Sequence, residues 1–558
     1  MSTHFDVAVI GSGFGGSVTA MRLTEKGYRV LVIEAGARFA DSDFAKTSWN
    51  VKKFLYFPAL GLRGIQRINF LSNVMILSGA GVGGGSLVYA NTLYKPEAQF
   101  FESGTWAGMA NWRDLLDPHY AQAESMLGVV TNPYDSPSDA ALRRAADSLG
   151  YGDTYRAAPV GIFFGQGSGK RAEDPFFGGV GPARAGCTNC GECMTGCRHG
   201  AKNTLVKNYL YLAEKAGAQV LALTRVDDLE RIEDGWRLST RRVGPGGLKA
   251  TFTAEQVVVS AGALGTARLL QSLRDRGRLP GLSQTLGAHT RTNSESLLGV
   301  ISKDKTVDYS LGSAITSSVF PASDTHVEPV RYGRGSNLMA TLQVLMASGR
   351  GLQSPNPLRL IGRTLTNIHR LPSFYNFRHW SERTVILLVM QARDNSLTTY
   401  LKRGLFGKRL SSRQGHGEAN PSWVPAGHVL ASKLADQISG TAGAVVTEAF
   451  GMPLTAHFLG GATIGPDASR GVVDGYLRAY GEPGLHIIDG SVLSANPGVN
   501  PSLSITALAE WACACWPNRG ETDQRPELGE SFVELDPIKP VKPIVPRGAP
   551  AALRMRIR

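Results

Sequence analysis

The chain has 558 residues, with 59 Lys and Arg against 46 Asp and Glu and a net charge of +13. At 42% hydrophobic and 19% charged residues it reads as soluble and globular, and it is too long for one ordinary core, so two domains are expected. The basic residues are scattered and form no nucleic-acid motif, which predicts a solvated basic surface and no nucleic-acid partner.

The opening MSTHFDVAVIGSG enters a strand pattern without a basic n-region or an apolar h-region, so no secretory signal is read. No uninterrupted apolar run approaches the ~18 residues that a membrane span needs; the most apolar, residues 385–390 (VILLVM), suits a buried strand. Six cysteines are too few for a disulfide scaffold in so long a chain. Their clustering favours a reduced, cytoplasmic protein with a metal or redox site.

In chain order, residues 5–10 form a β-rich run, followed by Gly11-Ser-Gly13-Phe-Gly15-Gly16, a helical pattern, and a second apolar strand at 28–33 closing on Glu34. This is a βαβ unit. Residues 52–77 mix basic, aromatic and aliphatic side chains, and fit a lid over a cavity or core better than an interfacial membrane segment. A second glycine-rich segment, SGAGVGGGS, spans 78–86. Residues 106–128 read as helical and 132–186 as loop-rich. Helix is expected at 202–212 and strand pairing at 218–233. A buried strand at 256–261 (QVVVSA) leads through Gly262 into a helix. From about 287 to 447 strands alternate with long polar loops, including 351–363. Residues 456–516 return to glycine-rich turns and end in a helix after Pro501. The segment beyond Pro517 is rich in proline and charge and reads as an extended tail.

Gly11, Gly13 and Gly16 fit G-x-G-x-x-G. The first permits a tight turn, the second lets backbone approach a pyrophosphate at a helix N-terminus, and the third allows close helix–strand packing. Glu34 ends the next strand, where its carboxylate can accept from ribose hydroxyls. The fingerprint does not choose between FAD and NAD. Glu34-Ala-Gly36, the second glycine-rich loop (Gly81, Gly83, Gly84 and Ser86) and the strand–glycine–helix at 257–270 favour FAD.

Cys187, Cys190, Cys193 and Cys197 form C-x2-C-x2-C-x3-C, the spacing of a bacterial ferredoxin run. Two features depart from it. Arg198 stands where that run has proline, and there is one run rather than two. An iron–sulfur cluster, a zinc ion and a metal-free thiol turn are all open readings.

The chain resembles the glucose–methanol–choline (GMC) family of flavin oxidoreductases, in its bacterial cholesterol oxidase branch. The resemblance rests on DVAVIGSGFGGSVTAMRLTEKGYRVLVIEAG, GAGVGGGSLVYAN, VVVSAGALGTARLL and HFLGG…DGSVLSANPGVNPSLSITALAE. It implies an α/β (α+β) fold. A Rossmann-like FAD-binding domain would be assembled from discontinuous segments, residues 1–290 and 450–525 with the cysteine-rich insert. A β-sheet substrate-binding domain would span 291–449, and the tail 526–558. The resemblance further implies that Val226 meets the adenine through its backbone and that Asp489 and Gly490 touch FAD. It places His457 and Asn500 at the substrate hydroxyl. Glu382, before a strand, is the expected proton carrier, with Glu295 as its rival.

The function so implied is FAD-dependent oxidation of a 3β-hydroxysteroid to the 3-ketosteroid with Δ5 to Δ4 isomerisation, dioxygen being reduced to hydrogen peroxide. Two alternatives stay open. One is an FAD/iron–sulfur dehydrogenase of a steroid or other hydrophobic alcohol that feeds an electron carrier. The other is a non-enzymatic lipid- or membrane-associated protein, and peripheral membrane contact is compatible with any of the three.

Overall fold

The computed structural model describes residues 3–347, 356–404 and 407–554. Two seven-stranded sheets organise it. The first runs in the order Gln219–Leu221, Val30–Ile33, His4–Ile10, Lys249–Val259, Gly235–Arg242, Thr224–Ile232, with Leu485–Ile487 also pairing with Lys249–Val259. Its centre is parallel, and β-branched runs such as VAVI and VLVI are buried on both faces, as a sheet covered on both sides requires. Helices Phe14–Glu25 and Ser502–Ala514 pack against each other on one side. Arg22 joins them by two hydrogen bonds to Glu510, at 2.7 and 2.8 Å, and Tyr209 adds a third at 2.6 Å. This sheet draws its strands from residues 4–259 and 485–487, segments far apart in sequence.

The second sheet is antiparallel, in the order Gln343–Leu345, Gly440–Val445, Ser296–Ser302, Thr384–Gln391, Thr325–Val330, Ser317–Ala322, Arg156–Ala157. Period-2 alternation sorts its side chains. Val385, Leu387 and Val389 pack under helices Pro137–Asp147 and Pro425–Gln437, whereas Ile386 and Leu388 face a cavity between the sheets. Helix Pro137–Asp147 and strand Arg156–Ala157 thus join the second sheet, although a division at residue 290 assigns them to the flavin-binding part. The reason is an apolar helix face, Ala141, Leu142, Ala145 and Ala146, which finds its cover there.

Helix Pro137–Asp147 lies inside the stretch expected to be loop. The expected loop at 351–363 is helix from Pro357 onward, capped by Asn356, and residues 351–355 lie outside the described residues. The segment after Pro517 has no helix or strand among its described residues, as expected of a tail, yet it is packed. Phe532 stacks on Trp112, the Lys542 amide donates to Glu25, and Ala551 is buried.

Candidate active site

Gly11 sits at φ +105°, and a Cβ there would lie 2.2 Å from the Ser260 carbonyl oxygen, so this turn admits no other residue without distortion. Gly13 caps helix Phe14–Glu25 with no side-chain cap, and a Cβ on it would meet nothing within 4 Å. The open space and the uncapped first turn suit a pyrophosphate. Gly16 packs its Cα against the Gly11 carbonyl. Glu34 accepts from the Ser12 amide and hydroxyl, at 3.1 and 2.9 Å, and from the Gly36 amide at 2.7 Å. The Ser12 hydroxyl in turn accepts from the Gly83 amide at 3.1 Å, which fastens the second glycine-rich loop to the first. Gly81, Gly83 and Gly84 all have positive φ in that loop, and Ser86 bridges the Gly83 carbonyl and the Leu205 amide.

Asp489 accepts from the Ser491 amide and hydroxyl and from the Thr266 hydroxyl; burial raises its pKa. Asp489 and Gly490 line a cavity of about 340 Å³ together with Gly13, Gly79, Gly85 and residues 260–265. A cradle of glycines, an open helix N-terminus and a carboxylate at the end of the second strand fit FAD. Val226 does not figure among the residues lining this cavity. It lies buried at a register shift in strand Thr224–Ile232, whose first amide donates to the Glu34 carbonyl.

Beyond the glycines the same cavity is walled by apolar side chains, among them Leu297, Val330, Ile386 and Leu388 from the second sheet, Tyr332 just after it, and Ile76 and Leu77 from hairpin Gln66–Gly79. Segment 52–77 therefore contributes a wall, while Phe57, Leu60 and Phe70 on its outer side are exposed.

His457 and Asn500 both line this cavity. Strand Leu454–Thr455 pairs with Met75–Ile76, and strand Leu459–Gly460 pairs with Thr290–Arg291, so the turn carrying His457 is held at both ends. Its Nδ1 hydrogen-bonds the carboxylate of Glu295, whose other oxygen accepts from the Ala456 amide at 2.7 Å. Glu295 is fully buried and follows Asn293 and Ser294, two consecutive residues at positive φ, a strained approach of the kind that a functional site retains. The Asn293 amide group donates to the Val499 carbonyl and accepts from the Gly498 amide, pinning the loop that presents Asn500.

The Asn500 amide donates to Glu328 at 3.2 Å. Among the described residues, Asn500 Oδ1 and Glu328 Oε1 are buried without partners. Burial pushes the Glu328 carboxyl up to about 8, with the nearby Glu295 adding to the shift and the Asn500 bond opposing it. Glu328 thus holds its proton at neutral pH.

Glu382 is not brought to this cavity. It lies in the short helix Trp380–Arg383, and its carboxylate accepts from the Ser381 hydroxyl at 2.7 Å and meets His379 at 3.1 Å. Burial favours its neutral form, but those hydrogen bonds outweigh it and hold the pKa below the usual glutamate range. Glu328 and Asn293 escape the sequence reading. A glutamate inside the buried strand THVEPV is the one signal that points to Glu328.

Fold and cavity define a flavin-dependent oxidoreductase. Residues 6–317 match the family model described as FAD dependent oxidoreductase, and residues 425–509 the one described as GMC oxidoreductase. The chain is 56% identical to a cholesterol oxidase of Mycobacterium tuberculosis, covering 99% of this chain and 98% of that one. It is 41% identical to a cholesterol oxidase of Acinetobacter baumannii, covering 93% and 96%. Pyridoxine 4-oxidase from Mesorbium loti shares the fold at a TM-score of 0.58 and 17% identity, covering 91% and 98%. The chain belongs to the GMC oxidoreductase family, in its cholesterol oxidase branch. It is an enzyme and its cofactor is FAD, which sets aside the reading of a non-enzymatic binding protein.

Proposed function

We propose that the protein oxidises a 3β-hydroxysteroid of the cholesterol type to the 3-ketosteroid, with dioxygen reduced to hydrogen peroxide. The observation that carries this is His457, held by the buried Glu295 and lining a largely apolar cavity that also bears the glycine cradle. FAD, when bound, supplies the acceptor for the hydride leaving C3. Glu295 occupies Nδ1 of His457, which leaves Nε2 to hold the substrate hydroxyl and take its proton. Asn500, tied to Glu328, restricts where the hydroxyl-bearing ring sits. The apolar walls bind the steroid body and exclude water. A Δ5 to Δ4 shift moves a proton from C4 to C6. In this reading the His457–Glu295 pair carries it. Ketone and peroxide formed in equal amounts from cholesterol in air support the proposal; ketone without peroxide turns it toward an electron carrier as oxidant.

A lipid surface is the source of substrate in this reading. Helix Pro357–Thr366 and the turn after it expose Leu358 by 76%, Ile361 by 54%, Leu365 by 65% and Ile368 by 63%, all on one face. Arg359 and Arg363 flank that face, while Leu360, Thr364 and Asn367 turn toward the protein. The helix contacts Gln343–Leu345 and Val446–Phe450, and Gln343 and Val445 line the cavity. An apolar face edged by arginine, on a chain of net charge +13, suits an anionic membrane surface. No helix among the described residues is long and apolar enough to cross one.

A further inference from the structure

The four clustered cysteines take no part in the chemistry derived above. All four are free thiols, Cys193 and Cys197 buried and Cys187 and Cys190 half-buried, and all four line one small cavity closed by Ile162, Ala201 and Gly312. Turns with positive φ at Asn189, Gly191 and Gly196 fold the loop around that space. Its position is fixed from outside. The Gly191 amide donates to the Gly312 carbonyl at 2.8 Å, the Gly312 amide to the Asn189 carbonyl at 2.9 Å, and the Cys187 amide to the Phe163 carbonyl at 2.9 Å. The Asn189 amide points at the Cys187 sulfur, 3.4 Å away, the arrangement by which backbone stabilises thiolate.

Charge supplies the second observation. Lys202 is 1% exposed and its ammonium donates to the carbonyls of Leu87 and Cys193, at 2.9 and 2.8 Å. Arg184, also buried, donates to the carbonyls of Gly200, Ala201 and Lys202 and to the Asn203 side chain. Among the described residues, neither forms an ion pair with a carboxylate. Two buried basic side chains without carboxylate partners thus pack against the cysteine loop. Four thiolates on a metal centre would give them anionic neighbours.

The spacing of the ligands in sequence chooses the centre. Among the described residues, Cys190, Glu192 and His199 bring their ligand atoms within 4.8 Å of one another, while the four cysteines follow the uninterrupted C-x2-C-x2-C-x3-C spacing of a ferredoxin run rather than the separated pairs of a structural zinc site. Glu192 is already engaged by two hydrogen bonds from Arg198, at 2.9 and 2.7 Å. We propose that Cys187, Cys190, Cys193 and Cys197 hold a cuboidal iron–sulfur cluster. It would lie beside the flavin cavity. Met194, next to Cys193, lines that cavity, as does Tyr89, whose ring lies 4.7 Å from the Lys202 ammonium.

The test is metal and acid-labile sulfide analysis, with electron paramagnetic resonance, on the full-length chain purified without oxygen from iron-replete cells. The expected result is about three to four iron and as many sulfide per chain, with a cluster signal in one redox state. C190S, at a half-buried position, should lower iron and sulfide several-fold and alter the signal while FAD per chain is kept; C513S, remote from the cavity, should leave both unchanged. One zinc per chain, or no metal with four thiols that react with a thiol reagent in the native protein, overturns the proposal. Because the readout on the unaltered chain is metal content, it holds whatever the substrate proves to be.

Discussion

Glu295 and His457 are 162 positions apart in sequence and joined by a hydrogen bond at Nδ1, while the backbone amide of Ala456 holds the second carboxylate oxygen. The carboxylate therefore fixes both the tautomer and the orientation of the imidazole. E295Q keeps the shape but not the charge, and should lower kcat by about 10–1000-fold with a smaller effect on KM. H457Q should cost about 100–10,000-fold. Steady-state kinetics on detergent-dispersed cholesterol checks both, and FAD content shows that each variant is loaded.

Glu328 gives a pH-dependent prediction. Its carboxyl is neutral in the folded chain up to about pH 8, whereas an unfolded glutamate ionises near ~4.3. Between these values the folded state binds more protons than the unfolded one, so this group's contribution to stability is full below ~4.3 and is lost as pH rises toward 8. E328Q cannot ionise. The Tm of E328Q minus that of the unaltered protein should become more positive from pH 5 to pH 8, as thermal unfolding at several pH values would show. A flat difference would place the Glu328 pKa near its ordinary value.

Gly11 controls cofactor loading. G11A places a methyl group 2.2 Å from the Ser260 carbonyl at a φ of +105°, a conformation that costs ~1–3 kcal/mol even without the clash. FAD per chain, read from visible absorbance, should fall by at least about tenfold. G13A adds its methyl into open space, so it should fold normally and lose affinity for FAD alone.

The exposed helix face separates membrane delivery from chemistry. I361E/L365E removes two side chains each worth ~1.5–3 kcal/mol when fully buried. Binding to vesicles containing anionic lipid should drop by at least about tenfold, and the KM for vesicle-borne cholesterol should rise. Turnover of detergent-dispersed cholesterol and the Tm should stay as they are. Unchanged vesicle sedimentation would remove this helix from the membrane reading.

Local patterns made much of the fold readable. The βαβ unit, the two glycine loops and the apolar strands each announce themselves over ten or so residues, through period, turn chemistry or burial. His457 and Asn500 were readable through the family resemblance of the glycine-rich segments that carry them. Glu295 was visible only as a rival to Glu382, because what distinguishes them is long-range. The pairing of Thr290–Arg291 with Leu459–Gly460 brings Glu295 to His457, whereas Glu382 ends among Ser381, His379 and Arg334. Glu328 was illegible for a like reason: its environment is assembled from a strand and a loop 172 positions apart. Helix Pro137–Asp147 lies in a stretch whose Pro and Ser read as loop, although here Ser136 forms a capping box with Asp139 and Pro137 opens the first turn.

The most direct test of the account is anaerobic mixing of the FAD-loaded protein with cholesterol while the flavin absorbance is followed. Rapid bleaching, with 3-ketosteroid formed in proportion to the flavin and the rate cut at least about 100-fold in H457Q, is the predicted result. Flavin that stays oxidised with cholesterol and with other 3β-hydroxysteroids, or that bleaches as fast in H457Q as in the unaltered protein, would contradict it.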